Sequence, residues 1–127
     1  MKRSILALGV AGILNTLAAA DAPPWVAPDD AARVVNPIPA APTFIKAGKD
    51  IYTAQCVICH GATGKGDGVA AASLNPKPKD LSAITDESDG ALFWKITTGR
   101  PPMLSFKDTL TDKERWEVVS YLHTLRK

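Results

Sequence analysis

The stretch Cys56-Val57-Ile58-Cys59-His60 decides the reading of this sequence. It spells Cys-x-x-Cys-His, the pattern for covalent attachment of haem. Two thiols three positions apart can reach the two vinyl groups of one haem and form thioethers. The histidine directly after the second cysteine is then held beneath the iron, where a ring nitrogen serves as the proximal ligand. Two other chemistries use Cys-x-x-Cys. A closed zinc site takes four ligands, but the chain has only two cysteines and one further histidine, His123, so carboxylates would have to complete it. A thioredoxin-like dithiol sits in a strand–helix setting and has no use for His60. Haem attachment accounts for all five residues.

Downstream of the motif and its trailing Gly61 lies Gly99-Arg100-Pro101-Pro102-Met103-Leu104-Ser105-Phe106. A thioether is a soft ligand that suits low-spin haem iron and raises its reduction potential. An isolated methionine is more often packing; the motif upstream and the proline-stiffened approach favour Met103 as the second axial ligand. With these residues the chain resembles the small monohaem class I cytochromes c of exported bacterial proteins, over about residues 43–127. The prolines here precede Met103 and Leu104 follows it, where the family commonly has Met-Pro. The resemblance implies an all-α class I cytochrome c fold, a few helices packed around one covalently bound haem c. It implies Cys56 and Cys59 as thioether residues, and His60 and Met103 as axial ligands of the iron.

The N-terminus reads as an export signal. Met1-Lys2-Arg3 is a short basic start, Ile5 to Leu14 is apolar, and Ala18-Ala19-Ala20 supplies small residues for cleavage before Asp21. The apolar run ends at Asn15-Thr16, short of the about 20 residues a membrane span needs, so cleavage is favoured over an anchor. The expected organisation is a signal peptide over 1–20, a proline-rich extension over 21–42 and a cytochrome c domain over 43–127. The mature chain is not expected to span a membrane, and the expected location is the periplasm. Both thiols are used by the motif, leaving none for a structural disulfide. So short a chain buries a limited core, to which an apolar haem would add.

The chain carries 15 basic and 13 acidic residues. Loss of Lys2 and Arg3 with the signal leaves the two signs equal, and haem propionates tip the balance negative. That excludes the basic footprint of a nucleic-acid binder and strong steering by net charge.

Six of the ten prolines fall in the extension, at 23, 24, 28, 37, 39 and 42. Their spacing predicts extended or polyproline-like chain, and Trp25, Val26, Val34, Val35 and Ile38 predict that part of it wraps the domain. Thr43 is placed to cap a helix from Phe44 to about Gln55. Gly48, Tyr52 and Cys56 stand four apart on one face of it. Gly48 costs a helix about 1 kcal/mol relative to alanine, which close approach of another helix would explain. In the family this glycine–aromatic–cysteine line meets the C-terminal helix. The glycines from 61 to 68 read as a tight turn with positive φ; they do not match a phosphate loop. Val69 to Leu74 predicts a short helix, and Asn75 to Leu81 an extended segment. The family places a proline carbonyl behind the proximal histidine, a role open here to Pro76 or Pro78. Ser88 or Asp89 caps a helix over about 89–98 that Gly99 ends. Trp94 reads as core or cofactor wall; its N–H and Arg100 are each placed to meet a propionate. Thr111 and Glu114 form a capping box for a last helix to about Leu125, with Val118, Tyr121, Leu122 and Leu125 as its apolar stripe. His123 lies at the edge of that stripe and reads as a surface residue.

These features point to a one-electron carrier, not an enzyme, that exchanges electrons with protein redox partners. Lys65, Lys77, Lys79, Lys95, Arg100 and Lys107 lie in segments expected around the haem crevice and can meet an acidic patch. Two rivals are a fixed cytochrome subunit of a larger dehydrogenase or reductase, with 21–42 as an interaction arm, and a gas-binding or enzymatic haem protein with a displaceable Met103.

Overall fold

In the computed structural model residues 23–127 are described, and the expected signal peptide lies outside them. The described residues form five α-helices and no strand. They are α1 (Asp29–Ala32), α2 (Pro42–Gln55), α3 (Val57–His60), α4 (Asp89–Thr98) and α5 (Asp112–Leu122), joined by 3-10 turns at Ala71–Ser73, Leu81–Ala83 and His123–Leu125. None of these helices is long and apolar enough to cross a membrane. The architecture is the all-α arrangement expected, with α2 and α5 as its central pair.

Gly48 of α2 is the point where that pair touches. A Cβ there would sit 1.9 Å from the Glu117 carbonyl oxygen and 3.1 Å from the Tyr121 Cβ. Only a residue without a side chain lets the two backbones approach so closely. One turn on, the Tyr52 ring meets Tyr121 with centroids 5.2 Å apart. Gly48 and Tyr52 of the expected line therefore do face the C-terminal helix. Around it Leu92 and Ile96 of α4, Phe106, Leu110, Trp116, Val118, Val119 and Leu122 close one core.

Two helix starts follow the predicted chemistry. The Ser88 hydroxyl accepts from the Ala91 N–H, and Thr111 and Glu114 form the reciprocal capping box. The start of α2 differs. It begins at Pro42, Ala41 is its N-cap with no side-chain bond, and Thr43 lies inside the helix. Proline at the first position gives up an N–H that would lack a partner anyway, and its fixed φ is already helical. The end of α5 also differs: regular helix stops at Leu122 and a 3-10 turn carries on to Leu125, the usual tightening of a last turn.

The extension is not wholly extended. Between Pro28 and Pro37 the chain is free of proline, and there it makes the single turn α1, closed by the Ala32 N–H to the Pro28 carbonyl at 2.9 Å. It wraps the domain as expected. Trp25 packs against Trp94 at 6.4 Å, Asn36 donates to the Ser120 hydroxyl at 3.0 Å, and the Ser88 hydroxyl donates to the Ala32 carbonyl at 2.6 Å.

Replacing Gly48 with alanine tests the helix contact. The propensity gain of about 1 kcal/mol is set against overpacking of a backbone contact, which costs roughly 3 kcal/mol. Chemical denaturation of G48A should therefore show a net loss of about 2 kcal/mol; equal or greater stability would mean the helices do not meet here.

Candidate functional site

Helix α2 ends at Gln55, and the motif turns the chain at once. The Cys59 and His60 N–H groups both donate to the Cys56 carbonyl, at 3.1 and 2.9 Å. Five residues thus wrap into one tight turn, with Cys56, Cys59 and His60 partly exposed and both thiols free. Burial, and then the neighbouring Cys59, push the Cys56 thiol up to about 12, so it is an S–H group at neutral pH.

A helix this short leaves its last carbonyls without helical partners. The glycine-rich segment supplies them. Gly66 N–H donates to the His60 carbonyl (2.9 Å), Gly68 N–H to Cys59 (3.1 Å) and Ala70 N–H to Ile58 (2.9 Å). A Cβ on Gly68 would lie 2.3 Å from the Ile58 carbonyl oxygen, so the segment can lie flat under the turn only without a side chain there. Positive φ is found at Gly61, Gly64 and Gly66, as the glycine pattern predicts. Tyr52 adds a tie from α2. Its hydroxyl donates to the Gly61 carbonyl at 2.7 Å, and burial raises the phenol well above its ordinary range, which keeps it a donor.

His60 has its Nδ1 buried with no hydrogen bond. Burial lowers its pKa, and the Lys79 backbone acts the other way, favouring the proton. In this structure the Nδ1 makes no hydrogen bond to Pro76, Pro78 or Lys79.

Met103 sits at the end of a tight turn. Arg100 and Met103 exchange backbone hydrogen bonds at 2.8 and 3.1 Å. The turn is fastened to α4 by the Ser105 hydroxyl donating to the Thr97 carbonyl (2.7 Å) and by the Phe106 N–H donating to Ile96 (3.1 Å). Met103, Cys56 and Val57 are all partly buried against the same hydrophobic core. Exposed apolar side chains stand near both segments: Ile58 in the motif, Val69 after it and Leu104 beside Met103.

Other expected residues separate. His123 Nε2 lies 2.7 Å from the Asp89 carboxylate, which accepts from it, in keeping with a surface role. Lys65, Lys77, Lys79 and Lys107 are exposed. Lys95 is not free: it pairs with Glu87 at 2.5 Å with a side chain 14% exposed, and lies over the Trp25 ring. It drops out of the candidate docking set. Trp94 faces the extension and helps line an apolar groove of about 180 Å³ with Ala31, Val34 and Phe93. Arg115 was not singled out from sequence, yet it is buried and bonded to the loop after Met103. Its signal was present: position 115 falls three before Val118 and seven before Leu122, on the apolar stripe.

Residues 43–122 match the family model described as cytochrome c oxidase, cbb3-type, subunit III. The quinohemoprotein alcohol dehydrogenase ADH IIB of Pseudomonas putida is 31% identical over 100 residues, 79% of this chain and 14% of that protein. A chain of the reducing HAO-like protein complex of Kuenenia stuttgartiensis is 33% identical with a TM-score of 0.65, covering 72% of this chain and 47% of that one. Cytochrome CL of Methylophaga aminisulfidivorans shares the fold, with a TM-score of 0.54 at 23% identity over 67% of this chain and 55% of that one. The chain thus spans about one seventh of the curated relative and under half of the first structural one. Helices on a Cys-x-x-Cys-His turn define a c-type cytochrome, and the chain belongs to the cytochrome c family of that model as a small class I cytochrome c. Membership brings haem c as the cofactor and electron transfer as its chemistry. The residues fit that group: two free thiols three positions apart, and a histidine whose inner nitrogen is buried without a hydrogen bond.

The tie from Tyr52 has a measurable consequence. The Gly61 carbonyl also accepts from Gly64 N–H at 3.2 Å, so removing the hydroxyl does not orphan it. Y52F should lose about 1 kcal/mol, the net worth of one buried hydrogen bond, read as a lower unfolding midpoint with unchanged denaturant slope. No loss would mean the tie does not hold the turn.

Proposed function

We propose that this protein is a one-electron carrier whose single haem c is bound through Cys56 and Cys59, with His60 and Met103 as axial ligands. One observation carries the reading: the Cys56–His60 turn and the Met103 turn, far apart in sequence, are both partly buried against the same core. When bound, the haem iron would supply one-electron chemistry, with His60 and Met103 as the residues that would hold it.

The chain's own residues do the rest. Cys56 and Cys59, both free thiols, would hold the haem through thioether bonds to its vinyl groups. A backbone carbonyl of the 76–79 segment would orient His60 through its inner nitrogen, leaving the outer nitrogen for iron. The paired turn of Arg100 and Met103 and its fastening to α4 present the thioether with little freedom. Lys65, Lys77, Lys79 and Lys107 offer positive charge to an acidic redox partner. The proposed domain division is a signal peptide over 1–20, an extension over 21–42 and the cytochrome over 43–127, with function in the periplasm.

A second reading is favoured by the relatives. The chain matches 14% of a quinohemoprotein dehydrogenase and 47% of a chain from a multi-protein complex, so the same unit serves there within something larger. In that reading this cytochrome is the electron-transfer subunit of an oxidoreductase complex. Co-purification at native levels separates the two: a carrier elutes alone, a subunit elutes with its partner.

Two substitutions test the cofactor assignment. Replacing both Cys56 and Cys59 with alanine should leave haem extractable by acidified organic solvent; haem that resists extraction refutes covalent attachment. Met103→Ala should abolish the weak far-red ferric charge-transfer band of sulfur ligation and let the ferrous protein bind carbon monoxide. A variant with the parent's spectrum and no response to the gas would remove Met103 from the iron.

A further inference from the structure

Arg115 is buried in α5, its side chain 5% exposed. Charge at that depth is strongly unfavourable unless it is paired and hydrogen-bonded, and an apolar side chain of similar volume would often serve stability as well. The partners explain its presence. Its Nη1 donates to three backbone carbonyls, Phe106 at 3.2 Å, Lys107 at 3.0 Å and Leu110 at 2.9 Å. Nη2 pairs with Asp112, and the guanidinium lies 5.1 Å from the centre of the Phe93 ring. Nε is buried with no partner, so the group is oriented for the carbonyls at the expense of its own full satisfaction.

All three carbonyls belong to one segment, residues 106–110, which leaves the Met103 turn and enters α5. That segment has no regular structure of its own. Just after Met103, Ser105 and Phe106 are fastened to α4 through Thr97 and Ile96. Arg115 fastens the residues that follow to α5, the two N–H groups of its Nη1 being shared among the three carbonyls while the rest of the planar guanidinium pairs with Asp112.

We infer that Arg115 is a positioning residue for Met103: by closing residues 106–110 onto α5 it keeps the thioether bound to the haem iron. This rests on the reading of Met103 as axial ligand. A merely structural arginine would change stability and leave ligation alone, so ligation is what must be read.

The experiment uses the full-length holoprotein, with Arg115→Met, Arg115→Lys and, as a control in the same helix, the core truncation Val118→Ala. Val118 is 2% exposed and touches neither turn's hydrogen bonds. In Arg115→Met the far-red ferric band should fall by half or more at neutral pH, and ferrous carbon monoxide affinity should rise at least tenfold. Arg115→Lys should fall between this and the parent, and Val118→Ala should match the parent in both. Folded Arg115 variants with the parent's band and gas response overturn the inference, as does an equal change in Val118→Ala. If the Arg115 variants yield no holoprotein, hydrogen exchange on the parent decides. The Met103, Phe106 and Leu110 amides should exchange within threefold of the α5 amides, as one unit; exchange more than tenfold faster overturns the tie. A parent protein that lacks the far-red band and binds the gas counts against Met103 as ligand. A parent that has the band, with unchanged variants, counts against Arg115 alone.

Discussion

The approach of α2 to α5 at Gly48 sets the course of the rest of the chain. A backbone contact in which any Cβ would come within 1.9 Å of a carbonyl oxygen leaves little freedom in where the two helices cross. Because α2 runs only seven residues beyond Gly48 before it ends, the crossing also decides where Cys56 emerges. Tyr52, halfway between, is packed on Tyr121 on one side and bonded to Gly61 on the other. Helix packing and the geometry of the motif turn are therefore one constraint. A shift in the crossing would be felt at His60.

Legibility in the sequence follows the range of the forces involved. The motif, the Ser88 cap, the capping box at Thr111 and the stop at Gly99 are decided within a few residues, by hydrogen bonds to nearby backbone, and each reads directly from residue type and spacing. Gly48 was legible because a glycine in a helix interior needs a reason, and close packing is the common one. Other features depended on groups distant in the chain. Lys95 looks like a surface lysine until Glu87 and Trp25 are brought to it. The start of α2 was misplaced because a threonine cap and a proline first turn compete over the same residues, and proline won. Which carbonyl backs His60 was not legible, since that depends on how the 75–80 segment lies, not on its composition.

Helix α5 is buried on every face from Arg115 to Leu122, which its simple apolar stripe did not foretell. Two of the polar residues it takes inward each receive a different part of the chain. Ser120 takes the extension through Asn36, and Arg115 receives the loop after Met103, while α2 meets the helix sterically at Gly48 against the Glu117 backbone. Apolar packing alone is tolerant of small slides, because many arrangements bury similar area. Directed hydrogen bonds are not, since a displaced partner leaves a buried polar group unpaired. The helix therefore acts as a common reference for segments that have no regular structure to place them.

That arrangement bears on how an electron carrier must be built. The motif turn and the Met103 turn are carried by separate segments, and under the proposed ligation their relation must be the same before and after an electron passes, or each transfer would drag protein motion with it. Neither turn touches the other through a regular element. The motif turn is placed from α2, which crosses α5 at Gly48, and the Met103 turn hangs between α4 and α5. Rigidity at the site thus comes from two short paths that meet on one buried helix. A small chain with a limited core gains more from such a shared support than from stiffening each turn alone, because a single packed element then resists displacement of both at once.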